Sequence, residues 1–262
     1  MDDLRARPGV VVAFSGGADS AFLLAAAVRA LGPDRVLAAT AVSDSLAATE
    51  LEPAAAFAAS LGVTHLAPRT YELQRDGYRA NAGDRCYFCK AELLDVLGPI
   101  AVDRGWPVAT GTNADDAVAG FRPGIRAALE RGAISPLRDA ELTKAEIRDQ
   151  SREWELVTWD KPAAACLSSR IAYGIEISPE LLARVDRAEA AVRVAAVGLG
   201  ITLHDLRVRD LGHGRARLEI DRETLDGLGE AQGRLTAAVR DCDFDDCEIR
   251  SFRSGSMNDL LV

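Results

Sequence analysis

The chain has 262 residues and a formal net charge of −9, with about half of its residues hydrophobic and about a quarter charged. That length can form one large domain, or a medium domain plus a small one, around a real core, and the composition is that of an ordinary globular protein. The acidic excess argues against a surface that follows a nucleic-acid backbone over many phosphates, so no nucleic-acid partner is expected. No apolar run is long enough to cross a bilayer, and the opening Met1-Asp2-Asp3-Leu4-Arg5 lacks the apolar core of a signal peptide. A cytoplasmic protein with no membrane partner is expected, in which the five cysteines read as thiols, metal ligands or catalysts before disulfides.

In chain order, Val10 to Phe14 is a continuous apolar run, as in a strand covered on both faces. The stretch Ala21 to Leu31 is rich in helix formers and stops at Gly32-Pro33. A second apolar run, Val36 to Val42, leads to a helical stretch from Leu51 to Leu61, and Trp106 to Thr110 reads as a later strand. Thr143 and Glu146 form a capping box that opens a helix toward Trp154. This alternation of strands and helices predicts an α/β fold, a doubly wound parallel sheet, over residues 1–170.

The pattern then changes. Pro162 and three alanines run into Cys166 and a loop, and Ser178-Pro179 reads as an N-cap with proline at the first helical position. The alanine-rich helix that follows ends near Gly198 or Gly200. Two alternating segments, Leu206 to Asp210 and Arg215 to Ile220, are joined through Gly212-His213-Gly214 as a hairpin. A helix around Leu225 to Val239 and a strand near Glu248 to Phe252 complete a smaller α+β domain over residues 171–262.

Between the first strand and its helix stands Ser15-Gly16-Gly17-Ala18-Asp19-Ser20. Glycines let the backbone approach a phosphate, the helix N-terminus offers unpaired N–H groups and a positive dipole, and Asp19 can hold a magnesium ion bridging phosphates. An ordinary βα turn of small residues is the bland alternative. This string resembles the signature of the PP-loop ATP pyrophosphatases, which cleave ATP between its α and β phosphates and attach AMP to a substrate. The resemblance implies ATP at the carboxyl ends of the strands of a doubly wound sheet. Gly111-Thr112-Asn113-Ala114-Asp115-Asp116 is similar to a second nucleotide-facing loop of that superfamily, with Gly111 and Asp115 as ATP or magnesium contacts. For Asp115 a dipole-favoured acid at a helix N-terminus is the alternative. Ser43, at the end of the second strand, is placed near the adenine.

Cys86 and Cys89, in Asp84-Arg85-Cys86-Tyr87-Phe88-Cys89-Lys90, form a CxxC that brings two sulfurs near one metal or near each other. Cys166 is followed by Leu167-Ser168-Ser169-Arg170, whose arginine would favour a thiolate. The strings SGGADS, DRCYFCK, GTNADD, SPLRDAELTKAEIR and KPAAACLSSRIAYGIEIS together resemble the LarE family, over residues 10 to about 220. Its members are ATP-dependent sulfur transferases that help build a nickel-pincer nucleotide cofactor. The resemblance implies a small-molecule nucleotide substrate, a pyridinium-3,5-dicarboxylic acid mononucleotide, whose carboxylate is adenylated and converted to a thiocarboxylate. It implies a homo-oligomer, Cys166 as the sulfur-supplying position, and Ser169, Arg170, Arg207 and Arg209 at the substrate.

Physical reasoning leaves the arginines open. Arg207 and Arg209 share one strand face, and Arg215, Arg217 and Glu219 share a face of the next, which suits either an anion clamp or a solvated sheet. Two sulfur donors also remain open: Cys166 itself, sacrificed once, or a [4Fe-4S] cluster on Cys86, Cys89 and Cys166, which is preferred because all three thiols are present. Cys242 and Cys247 read as structural. The rival functions are a tRNA thiolase, which would shift tRNA in a gel, an amide-forming PP-loop synthetase, and a nucleotide sensor with structural zinc, which would bind ATP without releasing pyrophosphate.

Overall fold

A computed structural model of the chain describes residues 1–118, 122–162 and 165–253. Ala163 and Ala164, in the run that leads to Cys166, lie outside the described residues. The chain divides into two compact units, Met1–Tyr78 with Asp84–Ala164, and Arg79–Gly83 with the residues from Ala165 onward.

The first unit is built on β1 (Val10–Ala13), β2 (Val36–Ala39), β3 (Thr64–Leu66) and β4 (Val108–Thr110), in the order β3-β2-β1-β4. All neighbours are parallel. A parallel pair needs a crossover between its strands, and here the crossovers are α1 (Ala18–Leu31), α2 (Leu51–Ser60) and α3 (Arg85–Arg104). The strand period of two sorts the core into two layers. Val10, Val12, Val36 and Ala38 pack with Phe22, Leu24 and Phe57 of α1 and α2. Val11, Ala13, Leu37 and Ala39 pack with Leu94, Leu97 and Ala101 of α3. Helices therefore cover both faces, which is why β1 and β2 read as unbroken apolar runs. From β1 the chain moves to β2 on one side, and it returns to β4 on the other, so the carboxyl ends of β1 and β4 flank a topological switch point.

The first unit also holds α4 (Ala114–Val118), α5 (Pro123–Glu130) and α6 (Lys144–Glu153), with several shorter helical turns. The capping box at α6 is formed in full, with Thr143 Oγ1 accepting from the Glu146 N–H and the Glu146 carboxylate accepting from the Thr143 N–H at 2.9 Å.

The second unit holds α7 (Pro179–Gly198), β5 (Leu206–Asp210), β6 (Arg215–Ile220), α8 (Arg222–Gly227), α9 (Ala231–Arg240) and β7 (Asp246–Ser251). The hairpin β5–β6 is antiparallel and β7 adds to β6 in parallel. The helix expected over Leu225 to Val239 is two helices, because the chain breaks at Leu228 to Glu230, where Gly229 takes a φ of 50°. Residues 79–83 join this unit through Asn81, whose buried side-chain amide donates to the carbonyls of Ala172 at 2.8 Å and Ile175 at 3.0 Å.

Candidate functional site

In the first unit, the glycine loop and the 111–116 loop meet at the switch point. Gly16 has φ +73°, a left-handed conformation that favours glycine, and Gly17 is the N-cap of α1. With no side chain at that cap, the first-turn N–H groups of α1 stay available to an anion. The serine hydroxyls knit the loop: Ser15 and Ser20 share a hydrogen bond of 3.1 Å, and Ser20 Oγ donates to the Gly17 carbonyl at 3.0 Å. Gly111 fits a close approach, since a Cβ there would lie a tight 3.0 Å from the Ser20 backbone nitrogen. Asn113 Nδ2 then donates to Asp19 Oδ2 at 3.1 Å, which ties the two loops together.

Burial, and then the charge of Asp116, raise the Asp19 carboxyl above its ordinary value, opposed by Lys144, the Asn113 hydrogen bond and Arg148. The ionised form is thus held at a cost that a divalent cation would relieve. With a raised folded-state value, stability is greater below that value and is lost as pH rises through it. Asp19→Asn is therefore expected to leave the melting temperature equal or higher while abolishing magnesium-dependent nucleotide binding. In the parent chain, that binding should fall as pH drops through the raised Asp19 value, read by calorimetric titration across pH. A melting temperature well below that of the parent would contradict the account.

Asp115 Oδ2 accepts the Lys144 backbone N–H at 2.8 Å at the start of α6. Asp116, which sequence reasoning passed over in favour of Asp115, is the acid whose charge reaches Asp19, and it pairs with Lys144 Nζ at 3.1 Å. Ser43 donates its hydroxyl to the buried Glu72 at 2.6 Å, as does Ser45 at 2.6 Å. Beside the glycine loop lies a cleft of about 470 Å³, bordered by Phe14, Gly16, Glu50, Phe57, Thr158 and Lys161.

Cys86 and Cys89 fall in the first two turns of α3, three positions apart and so on one helix face, Cys86 exposed and Cys89 half-buried. The intervening aromatics anchor that turn: Tyr87 meets Phe88 edge to face and donates to Glu130 at 2.5 Å. Among the described residues, no three Cys, His, Asp or Glu side chains are grouped as a ready-made metal site. The chemistry of the pair nevertheless fits two thiolate ligands of one cluster.

Cys166, in the second unit, is a half-buried free thiol that precedes the turn Leu167–Arg170. Arg170 is held beside the Cys166 backbone by several bonds. It pairs with Glu189 through Nε at 2.9 Å and Nη2 at 3.2 Å, and Nη1 donates to the carbonyls of Ala165 and Cys166. Ser169 likewise donates through its hydroxyl to the Cys166 carbonyl at 2.8 Å.

The two arginines of β5 are buried, and not on a solvated sheet surface, whereas Arg215 of β6 is exposed. Arg207 and Arg209 are 7% and 5% exposed. Arg209 pairs with Glu219 at 2.9 Å and donates to the Ser169 carbonyl at 2.9 Å. Glu189, missed by sequence reasoning, accepts the Val208 N–H at 3.1 Å as well as Arg170. Burial, reinforced by Arg170 and Arg209, pushes the Arg207 guanidinium down to about 10, so it stays charged at neutral pH at an electrostatic cost. An anionic ligand would relieve that cost. Cys247 is a buried thiol pushed up to about 11 by burial, and burial also raises Cys242, which fits inert positions.

A family model for NAD synthase matches residues 3–75. Together with the four-stranded parallel sheet, that match defines the class: an α/β fold of the PP-loop type. The chain is 40% identical over 257 residues to an uncharacterized protein of Synechocystis sp., spanning 96% of this chain and 92% of that one. It is 31% identical over 255 residues to the pyridinium-3,5-bisthiocarboxylic acid mononucleotide synthase of Lactiplantibacillus plantarum, spanning 97% and 90%. An uncharacterized protein of Methanocaldococcus jannaschii is 31% identical over 131 residues, 50% of this chain and 48% of that one. The chain belongs to the family of that mononucleotide synthase, the LarE family. Among the described residues, no helix is long and apolar enough to cross a membrane.

Proposed function

We propose that this protein is an AMP-forming, ATP-dependent sulfur transferase that converts a carboxylate of pyridinium-3,5-dicarboxylic acid mononucleotide to a thiocarboxylate. The observation that carries the reading is the near full-length relationship to a bisthiocarboxylic acid mononucleotide synthase. The tied loops at Asp19 and the buried arginines of the second unit support it. Magnesium and ATP are its cofactors, and a cytoplasmic homo-oligomer is its expected form. The nucleotide chemistry is assigned to residues 1–170, and substrate binding and oligomerisation to residues 171–262.

The substrate carboxylate attacks the α-phosphorus, pyrophosphate leaves, and an acyl adenylate forms. Ser15, Gly16, Gly17, Ala18 and Ser20 cradle the phosphates through N–H and hydroxyl groups, and Asp19 would hold the magnesium ion. Arg207, Arg209, Arg170 and Ser169 serve the phosphate or carboxylate of the substrate. In one route the Cys166 thiolate attacks the acyl carbon and AMP leaves. A base then removes the Cys166 Cα proton, the Cβ–S bond breaks, and the thiocarboxylate departs from a dehydroalanine. In the other, favoured by two thiols on one helix face, Cys86, Cys89 and Cys166 would hold a [4Fe-4S] cluster, which when bound supplies sulfide and leaves the cysteines intact.

Incubation of the full chain with ATP, magnesium and the dicarboxylate mononucleotide tests the reading. Release of AMP and pyrophosphate that depends on the mononucleotide, with a thiocarboxylate product in the mass spectrum, is expected. Nucleotide binding without that release would overturn it. Iron and sulfide analysis of anaerobically purified protein separates the routes. The cluster predicts about four of each per chain. The sacrificial route predicts neither, and a spent protein lighter by the mass of hydrogen sulfide.

A further inference from the structure

The residue that begins the segment running to Cys166 has a contact of its own. Lys161 Nζ donates to the Gly16 carbonyl at 3.0 Å and pairs with Glu50 at 2.7 Å. Both partners of that pair are 24% exposed, so the contact is partly shielded from solvent. The backbone of Lys161 is fixed as well, its N–H on the Thr158 carbonyl at 3.1 Å and its carbonyl on Arg148 at 3.3 Å. The ammonium is thus presented to the glycine loop from a held base.

The Gly16–Gly17 peptide is the one in the loop with least intrinsic reason to keep one orientation, because glycine on both sides makes a peptide flip cheap. In a trans peptide the carbonyl and the next N–H point in opposite directions. A carbonyl of Gly16 drawn toward Lys161 therefore turns the Gly17 N–H the other way, toward the side where Ser15 Oγ lies at a long 3.4 Å. That side already carries the Ser15 and Ser20 hydroxyls. Lys161 thereby holds the far end of the peptide that carries this N–H.

We infer that Lys161 is a positioning residue of the nucleotide site, locking the Gly16–Gly17 peptide so that its N–H faces a polyphosphate, with Glu50 locking the ammonium in turn. The inference rests on the ATP reading above and adds a residue to it. The test measures binding of α,β-methylene ATP with magnesium, of inorganic pyrophosphate and of adenosine to the full chain by titration calorimetry. Loss of one charge-assisted hold in Lys161→Met is expected to weaken the triphosphate analogue and pyrophosphate about ten- to a hundred-fold and leave adenosine unchanged. Lys161→Arg, which keeps the donor and charge, should recover most of the affinity. Lys161→Gln carries the test should Lys161→Met fail to fold. Parent-like affinity for the analogue in either folded variant, or an equal loss for adenosine, overturns the inference. No binding of the analogue by the parent chain would overturn the ATP reading itself, and the inference with it.

Discussion

Cys166→Ala is expected to abolish thiocarboxylate formation while leaving mononucleotide-dependent pyrophosphate release, and the acyl adenylate it yields, in place. The geometry separates these two outcomes. The hydrogen bonds around this residue run to its backbone: the Cys166 carbonyl accepts from the Ser169 N–H at 2.9 Å, the Ser169 hydroxyl at 2.8 Å and Arg170 at 3.2 Å. Alanine keeps all three and removes only the sulfur. The turn Leu167–Arg170 should persist, and a loss of sulfur transfer would not reflect a lost fold. In the proposed function, adenylation draws on the glycine loop of the first unit, whereas Cys166 belongs to the second. Product mass spectrometry and a pyrophosphate assay on the same sample read both halves. Continued thiocarboxylate formation in this variant would remove Cys166 from both proposed routes.

Glu219→Ala is expected to destabilise the second unit by about 3–5 kcal/mol, because it leaves a buried guanidinium without its carboxylate. Arg209 and Glu219 are 6% and 2% exposed at their side chains, and the pair is diagonal across β5 and β6, where Glu219 sits opposite Arg207 in register. Denaturant unfolding followed by backbone circular dichroism would show the loss as a lower midpoint. Replacing both partners by apolar residues, Arg209→Met with Glu219→Leu, should cost far less, since a buried ion pair contributes little net stability against well-packed hydrophobes. That double variant should fold and still fail to bind the mononucleotide. Full binding by it would withdraw Arg209 from the substrate site.

The elements carried by local chemistry were legible from the residues. Continuous valines in β1, helix formers after the glycine loop, and the Thr143–Glu146 box each encode their structure over a few neighbours, and all three stand in the fold. Short β3, with its half-exposed Thr64-His65-Leu66, has no comparable pattern and exists because β2 offers it an edge. The CxxC was legible as a motif, but not as the opening of a twenty-residue helix, because α3 runs through Pro99, where sequence rules place a break.

The sequence by itself determined the class of loop, the identity of the thiols and the presence of two differently patterned halves. Those follow from residue type and spacing. Tertiary structure decided what each charge does. It assigned Asp115 to a helix end and Asp116 to the field at Asp19, gave Arg170 to Glu189 and Arg209 to Glu219, and brought Lys161 to Gly16 across 145 positions. A charged side chain has the same composition in solvent or in a buried pair. Only the surrounding fold sets its dielectric and its partner, and with them its role.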